Sequence, residues 1–133
     1  MNFRATFCDP FKADVIEIGD IEKEKVIELF EKTPWAEYLT KMDERRKEVY
    51  QAPSLGFENI NNRNIINISI DDANEWLIFY IRPKLVKRLF GLLGEKMNNN
   101  YMTEIQGQTE SDVRSCLEAL IRNDLEFLEN KIK

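Results

Sequence analysis

Residues 65–71, IINISID, set Ile66, Ile68 and Ile70 against Asn67, Ser69 and Asp71 in alternation. Successive side chains of a strand point to opposite faces, so this period specifies a strand with one dry side. The turn cluster DDAN (71–74) follows, and then EWLIFYI (75–81), which is apolar at both parities. Such a run fits a central strand covered on both faces. With SLGFENI (54–60) and the NNRN turn ahead of it, these segments predict an antiparallel meander of three strands. Trp76 to Ile81, bounded by the turn and by Arg82-Pro83, falls far short of the roughly 20 apolar residues that span a bilayer.

Helices are expected on either side of the meander. Ile21 to Lys32 gathers Val26, Ile27, Leu29 and Phe30 on one broad face, with Gly19-Asp20 as break and N-cap. Thr33-Pro34 starts a second helix carrying Trp35, Tyr38, Leu39 and Met42, which runs out into the charged tract DERRKE (43–48). After Pro83, KLVKRLFGLL (84–93) puts Leu85, Val86, Leu89, Phe90, Leu92 and Leu93 opposite Lys84, Lys87 and Arg88, the pattern of a core-packing amphipathic helix that Gly94 can end. NNN (98–100) reads as a turn and YMTEIQG (101–107) as an edge strand. Thr109, with Asp112 at capping-box distance, opens the longest helix, which runs to Ile132. Two short strands, RATFC and ADVIEIG, precede the first helix. The expected class is α+β: an antiparallel sheet, made of the central meander plus N-terminal and edge strands, packs against about four helices in one domain over residues 1–133.

Composition narrows the chemistry. A chain of 133 residues, 43% hydrophobic and 11% aromatic, supplies one compact core. Nineteen Lys and Arg against 24 Asp and Glu leave a net charge of −5. Nucleic-acid binding draws most of its free energy from cations that displace counterions, so the expected partner is a protein with a basic surface, not a nucleic acid or a membrane. The chain has no histidine, which removes His-based acid–base catalysis, Ser-His and Cys-His nucleophiles, and His-containing zinc sites. The five glycines, at 19, 56, 91, 94 and 107, form neither GxGxxG nor a P-loop. Cys8 and Cys116 are isolated thiols, read as reduced in a cytoplasmic protein, and MNFRATFCDPF lacks the apolar segment of a secretory signal. No catalytic residue, cofactor or metal ligand is assigned.

Two charged groups remain to be weighed. Between Asp14 and Glu37 eight acidic residues face three lysines, and Glu22, Glu24, Glu28 and Glu31 recur along the first helix. Together with Asp71, Asp72 and Glu75 at the β turn, whose spacing is not that of an EF-hand, they are the candidate partner-binding residues. The basic group Arg82, Lys84, Lys87 and Arg88 reads as an ordinary polar helix face whose stems cover the edge of the core. The aromatics Trp35, Tyr38, Trp76, Phe79, Tyr80 and Phe90 are assigned to core faces.

The order of pieces, an acidic domain with SLGFENINNRNIINISIDDANEWLIFYIRPK followed by a long terminal helix, resembles the single-domain immunity proteins encoded beside bacterial contact-dependent or polymorphic toxins. The resemblance spans residues 53–133 in layout and carries over no functional residue. It implies a protein that binds a toxin domain and blocks its active site. Against a nuclease, whose cleft is basic, carboxylates would occupy the phosphate positions. The alternative expectation is a small-molecule-binding or enzymatic domain with a pocket between sheet and helices.

Overall fold

The computed structural model describes residues 2–71, 73–87 and 94–133. Its strands are β1 (Phe3–Cys8), β2 (Ile16–Ile21), β3 (Ser54–Asn59), β4 (Asn64–Ile70), β5 (Trp76–Lys87) and β6 (Glu95–Gln108). They form one open antiparallel sheet in the order β2-β1-β3-β4-β5-β6. Helices α1 (Glu24–Lys32) and α2 (Trp35–Glu44) occupy the crossover from β2 to β3, and α3 (Glu110–Arg122) and α4 (Leu125–Lys131) follow β6. The class is α+β, and the meander of β3, β4 and β5 is present.

Alternation decides which residues meet the helices. Phe3 and Ala5 of β1, Leu55 and Phe57 of β3, Ile66, Ile68 and Ile70 of β4, and Trp76, Ile78 and Tyr80 of β5 are all buried on one side of the sheet. They pack in a single cluster with Val26, Phe30 and Trp35 from α1 and α2 and with Val113, Leu117, Leu120, Leu128 and Ile132 from the terminal segment. Each Val, Leu, Ile and Phe side chain among them contributes about 1.5–3 kcal/mol on burial. An aromatic junction ties the first helix pair to the sheet. Trp35 and Phe30 lie edge-on to Trp76 at 5.0 and 5.3 Å between centroids, and the Trp35 indole N–H donates to the Phe30 carbonyl at 3.0 Å.

Several sequence expectations need correction. β5 is not the centre of the sheet but lies one strand from its edge, and it is covered on one face only. KLVKRLFGLL does not begin a helix: residues 84–87 continue β5, and 88–93 lie outside the described residues. Strand pairing overrides the helical period here, because Leu85 faces Met97, Val86 faces Lys96 and Lys87 faces Glu95 across the ladder. NNN is not a turn but a bulge inside β6. Asn99 and Asn100 together oppose Pro83, which has no N–H for the ladder, and Asn98 Oδ1 accepts from the Asn100 N–H at 3.0 Å.

The first helix starts at Glu24, later than expected, because Asp20 and Ile21 pair with Arg4 and Phe3 as the end of β2. Thr33 does not cap α2; its hydroxyl donates back to the Leu29 carbonyl at 2.8 Å and closes α1. The terminal helix is broken in two. Thr109 and Asp112 do form the capping box of α3, but Asn123 turns left-handed at φ 64° and Asp124 then caps α4 by accepting from the Phe127 N–H at 3.2 Å.

The break lets α4 dock on the far end of β5 through a buried arginine. Arg82, 3% exposed, donates from Nε and Nη2 to the two carboxylate oxygens of Glu129 at 2.9 and 2.8 Å. Its Nη1 donates to the Tyr80 carbonyl at 3.0 Å and to the Thr103 hydroxyl at 2.7 Å. The guanidinium lies against the Tyr80 and Tyr101 rings, and Lys84 reaches Glu129 at 3.3 Å. A forked guanidinium suits this paired geometry as no other cation does.

The arginine holds the Glu129 carboxyl below its usual value, its hydrogen bond outweighing the opposing effect of burial. A carboxyl with a lowered folded pKa stabilises fully above its unfolded value, and that stabilisation is lost as pH falls through the folded value. Glu129→Gln is expected to cost about 2 kcal/mol at neutral pH, discounted from roughly 3–5 because Glu129 is partly solvated. Urea midpoints checked from neutral pH downward should differ most at neutral pH and converge on acidification.

Candidate functional site

Among the described residues, one side of the sheet carries no helix. Register aligns three rows of side chains across it. Glu17, Thr6, Gly56, Asn67, Phe79 and Glu104 form one row, and Asp20, Arg4, Glu58, Ile65, Ile81 and Met102 form the next. Cys8, Ser54, Ser69 and Leu77 form the third. None of these side chains belongs to the buried cluster.

The face is divided. Toward β5 and β6 it is apolar: Ile65, Leu77, Phe79 and Ile81 are half-buried and Met102 is 53% exposed. The strip continues along the two-stranded ribbon that β5 and β6 extend past β4, where paired Leu85 and Met97 are 56% and 48% exposed. Glu58 and Glu104 adjoin it, and Glu17 and Asp20 stand at the far margin of the sheet. Glu17 and Glu104 end the first row and have no ion-pair partner among the described residues, while Asp20 and Glu58 share Arg4 at 3.3 and 3.9 Å.

Toward β1 and β3 the face sinks into a hollow of about 290 Å³ lined by Thr6, Cys8, Ser54, Asn67, Ser69 and Phe79, among others. Its centre is Gly56. A methyl group there would sit 2.3 Å from Asn67 Oδ1 and 2.7 Å from Thr6 Oγ1, so both oxygens lean over the missing side chain. The outer wall is pinned, because Gln51 Nε2 donates to the Asp9 and Lys12 carbonyls at 3.1 and 2.7 Å and the Tyr50 N–H donates to Pro10 at 2.8 Å.

The carboxylates singled out in the sequence are mostly engaged elsewhere. Glu28 lies between Lys25 and Lys32 at 3.0 and 2.6 Å, and the hydrogen bonds from Lys32 and then Lys25 hold its carboxyl at about 2. Glu31 pairs with Arg114, which also reaches Glu110 at 3.3 Å. Asp71 is exposed but closes its own turn, accepting from the Ala73 and Glu75 N–H groups at 2.9 and 3.0 Å. Glu22 and Glu24 are exposed before and at the start of α1. Glu75 borders a separate cleft of about 490 Å³ with Trp35, Trp76, Gln108 and Glu110, where Gln108 Oε1 is buried without a hydrogen-bond partner. Asp72 lies outside the described residues.

The basic group is dispersed. Arg82 and Lys84 both turn to Glu129, and Arg88 lies outside the described residues. Phe79, assigned to the core from sequence, stands on the helix-free face. No family model, characterised protein or solved structure matches this chain. Function must be argued from the geometry.

Among the described residues no helix is long and apolar enough to cross a membrane, and no three His, Cys, Asp or Glu side chains gather in a metal-holding group. Two buried titratable groups, Cys116 and Tyr80, are held in their protonated forms at neutral pH. Burial pushes the Cys116 thiol up to about 11 and the Tyr80 hydroxyl to about 12, the latter donating to Asn64 Oδ1 at 2.6 Å. The two cysteines are free, Cys116 buried and Cys8 half-buried in the hollow. A thiol reagent such as dithionitrobenzoate is therefore expected to modify Cys8 alone in the native protein. Cys116 should react only at the rate of unfolding, and equal reactivity of the two would contradict this assignment.

Proposed function

We propose that the protein is a non-enzymatic protein-binding module of the immunity type, which engages a basic partner domain through the helix-free face of its sheet. The observation that carries this reading is the apolar strip from Leu77 and Phe79 through Ile81 and Met102 to Leu85 and Met97, left facing solvent by an otherwise well-filled core. Contiguous exposed apolar surface of this kind marks protein contacts. An apolar centre with a charged border is the ordinary anatomy of such contacts.

The border gives the partner its sign. Glu58 and Glu104 stand on either side of the apolar centre, with Arg4 already shared between Asp20 and Glu58. Carboxylates so placed raise the rate of encounter with a basic surface and disfavour acidic competitors, while the strip supplies the affinity. The α1 carboxylates are a weaker choice of contact because Glu28 and Glu31 already have cations of their own. A nuclease toxin, whose cleft must attract phosphate, presents the matching charge.

The test is capture of the product of the adjoining gene by the full-length protein. Phe79→Asp and Met97→Asp, one at the centre of the strip and one on the ribbon, are each expected to weaken capture about tenfold or more. Glu104→Lys should slow association and lessen its dependence on salt. Capture that survives both aspartates but fails on charge reversal at Glu24 and Glu28 moves the contact to α1.

A further inference from the structure

The hollow around Gly56 has a chemistry unlike the rest of the surface. In a chain whose charged share is 32%, not one of its lining residues, Thr6, Cys8, Val15, Gln51, Ala52, Ser54, Gly56, Asn67, Ile68, Ser69 and Phe79, carries a charge. Of its polar side chains, Gln51 is spent on the wall, where it donates to the Asp9 and Lys12 carbonyls. Among the described residues the side chains of Thr6, Ser54, Asn67 and Ser69 make no intramolecular hydrogen bond. Three hydroxyls and a carboxamide thus converge on one space with donors and acceptors unspent.

Their placement is fixed by the sheet. Thr6, Gly56, Asn67 and Phe79 stand in one row, and Cys8, Ser54 and Ser69 in the row beside it. Neighbouring strands are about 4.8 Å apart and same-face residues about 6.8 Å apart along a strand. Side chains on a grid of that pitch can reach several hydroxyls of one pyranose ring at once. Phe79 adds an aromatic ring at one side, on which the C–H face of a sugar can lie. At about 290 Å³ the hollow stands near the lower end of organic-ligand sites, roughly 300–1,000 Å³, which suits one monosaccharide unit. The absence of any lining charge speaks against phosphate, carboxylate or amine ligands, since burying an ion here would leave it uncompensated.

We propose that this hollow binds one uncharged pyranose, free or as the terminal unit of a glycan, through Thr6, Ser54, Asn67 and Ser69, with the sugar face on Phe79. The site is built on rigid strands and a pinned wall, so it is ready before the ligand arrives. Gly56 keeps it open by letting the Asn67 and Thr6 oxygens lie close to the backbone. This assignment shares only Phe79 with the partner-binding reading, since the strip residues Leu77, Ile81, Leu85, Met97 and Met102 take no part in it.

Cys8 provides a reporter within the hollow, and the buried Cys116 does not interfere. The full chain is treated with iodoacetamide in the presence of methyl glucosides, mannosides, galactosides and N-acetylglucosamine. Glucose 6-phosphate and glucuronate serve as charged counterparts, and a trisaccharide of each successful sugar tests the glycan source. At least one neutral glycoside is expected to slow Cys8 alkylation several-fold with saturation in the millimolar range, and its charged counterpart to do so far less. Stronger protection by the trisaccharide assigns a glycan end, and equal protection assigns the free sugar. Gly56→Ala, which displaces only the ends of two surface side chains, and Asn67→Ala should each weaken protection about tenfold while the protein stays folded. Met97→Asp should leave it unchanged. No protection by any neutral sugar, equal protection by charged and neutral ones, or protection indifferent to both substitutions overturns the assignment.

Discussion

One constraint governs this molecule: a six-stranded sheet has two faces, and among the described residues the helices bury only one of them. The crossover pair α1 and α2 and the terminal pair α3 and α4 all contribute to the same cluster, over Phe57, Ile66, Ile68 and Ile78. A sheet face without a helical layer keeps its polar residues solvated, but its apolar ones remain half-covered at best. Phe79, Leu77 and Ile81 are in that position because their alternate neighbours Ile78 and Tyr80 are committed to the core. The polar hollow and the apolar strip are two halves of one exposed surface.

Much of the fold was legible in the residues. The alternation of IINISID places Ile66, Ile68 and Ile70 inward with no help from tertiary context, and Thr109 with Asp112 fixes the start of α3 because its cap is local. Pieces whose outcome depends on distant partners were not legible. KLVK carries a helical period, yet its fate is set by pairing with Glu95 to Asn98, outside the local window that sets a helix. The doubly apolar EWLIFYI was a correct signal with the wrong meaning. Its second parity signifies a surface left open, and only a count of the available helical faces against sheet faces would have shown it. The hollow was invisible for another reason: Thr6, Ser54, Asn67 and Ser69 are ordinary residues whose convergence is a matter of register.

Charge was legible in total but not in place. The acidic excess belongs partly to ion pairs that the fold uses for itself, as at Glu28 with its two lysines and at Glu129 with Arg82. Residues that appear as a basic cluster in sequence, Arg82 and Lys84, meet at one carboxylate from α4. Two carboxylates without an ion-pair partner among the described residues, Glu17 and Glu104, sit at opposite ends of a single row, which no inspection of linear spacing would bring together.

The bulges have a further consequence for how copies of this chain behave when crowded. β6 is interrupted opposite Pro83 and again at Gly107, which has φ 66°, and β2 at the other margin is kinked at Gly19, with φ 105°. Neither rim offers the long unbroken row of amides and carbonyls on which strands from separate molecules can template one another. Fibrillar growth by lateral strand addition is discouraged at both margins, and the molecule can afford a greasy flank without becoming a seed for amyloid.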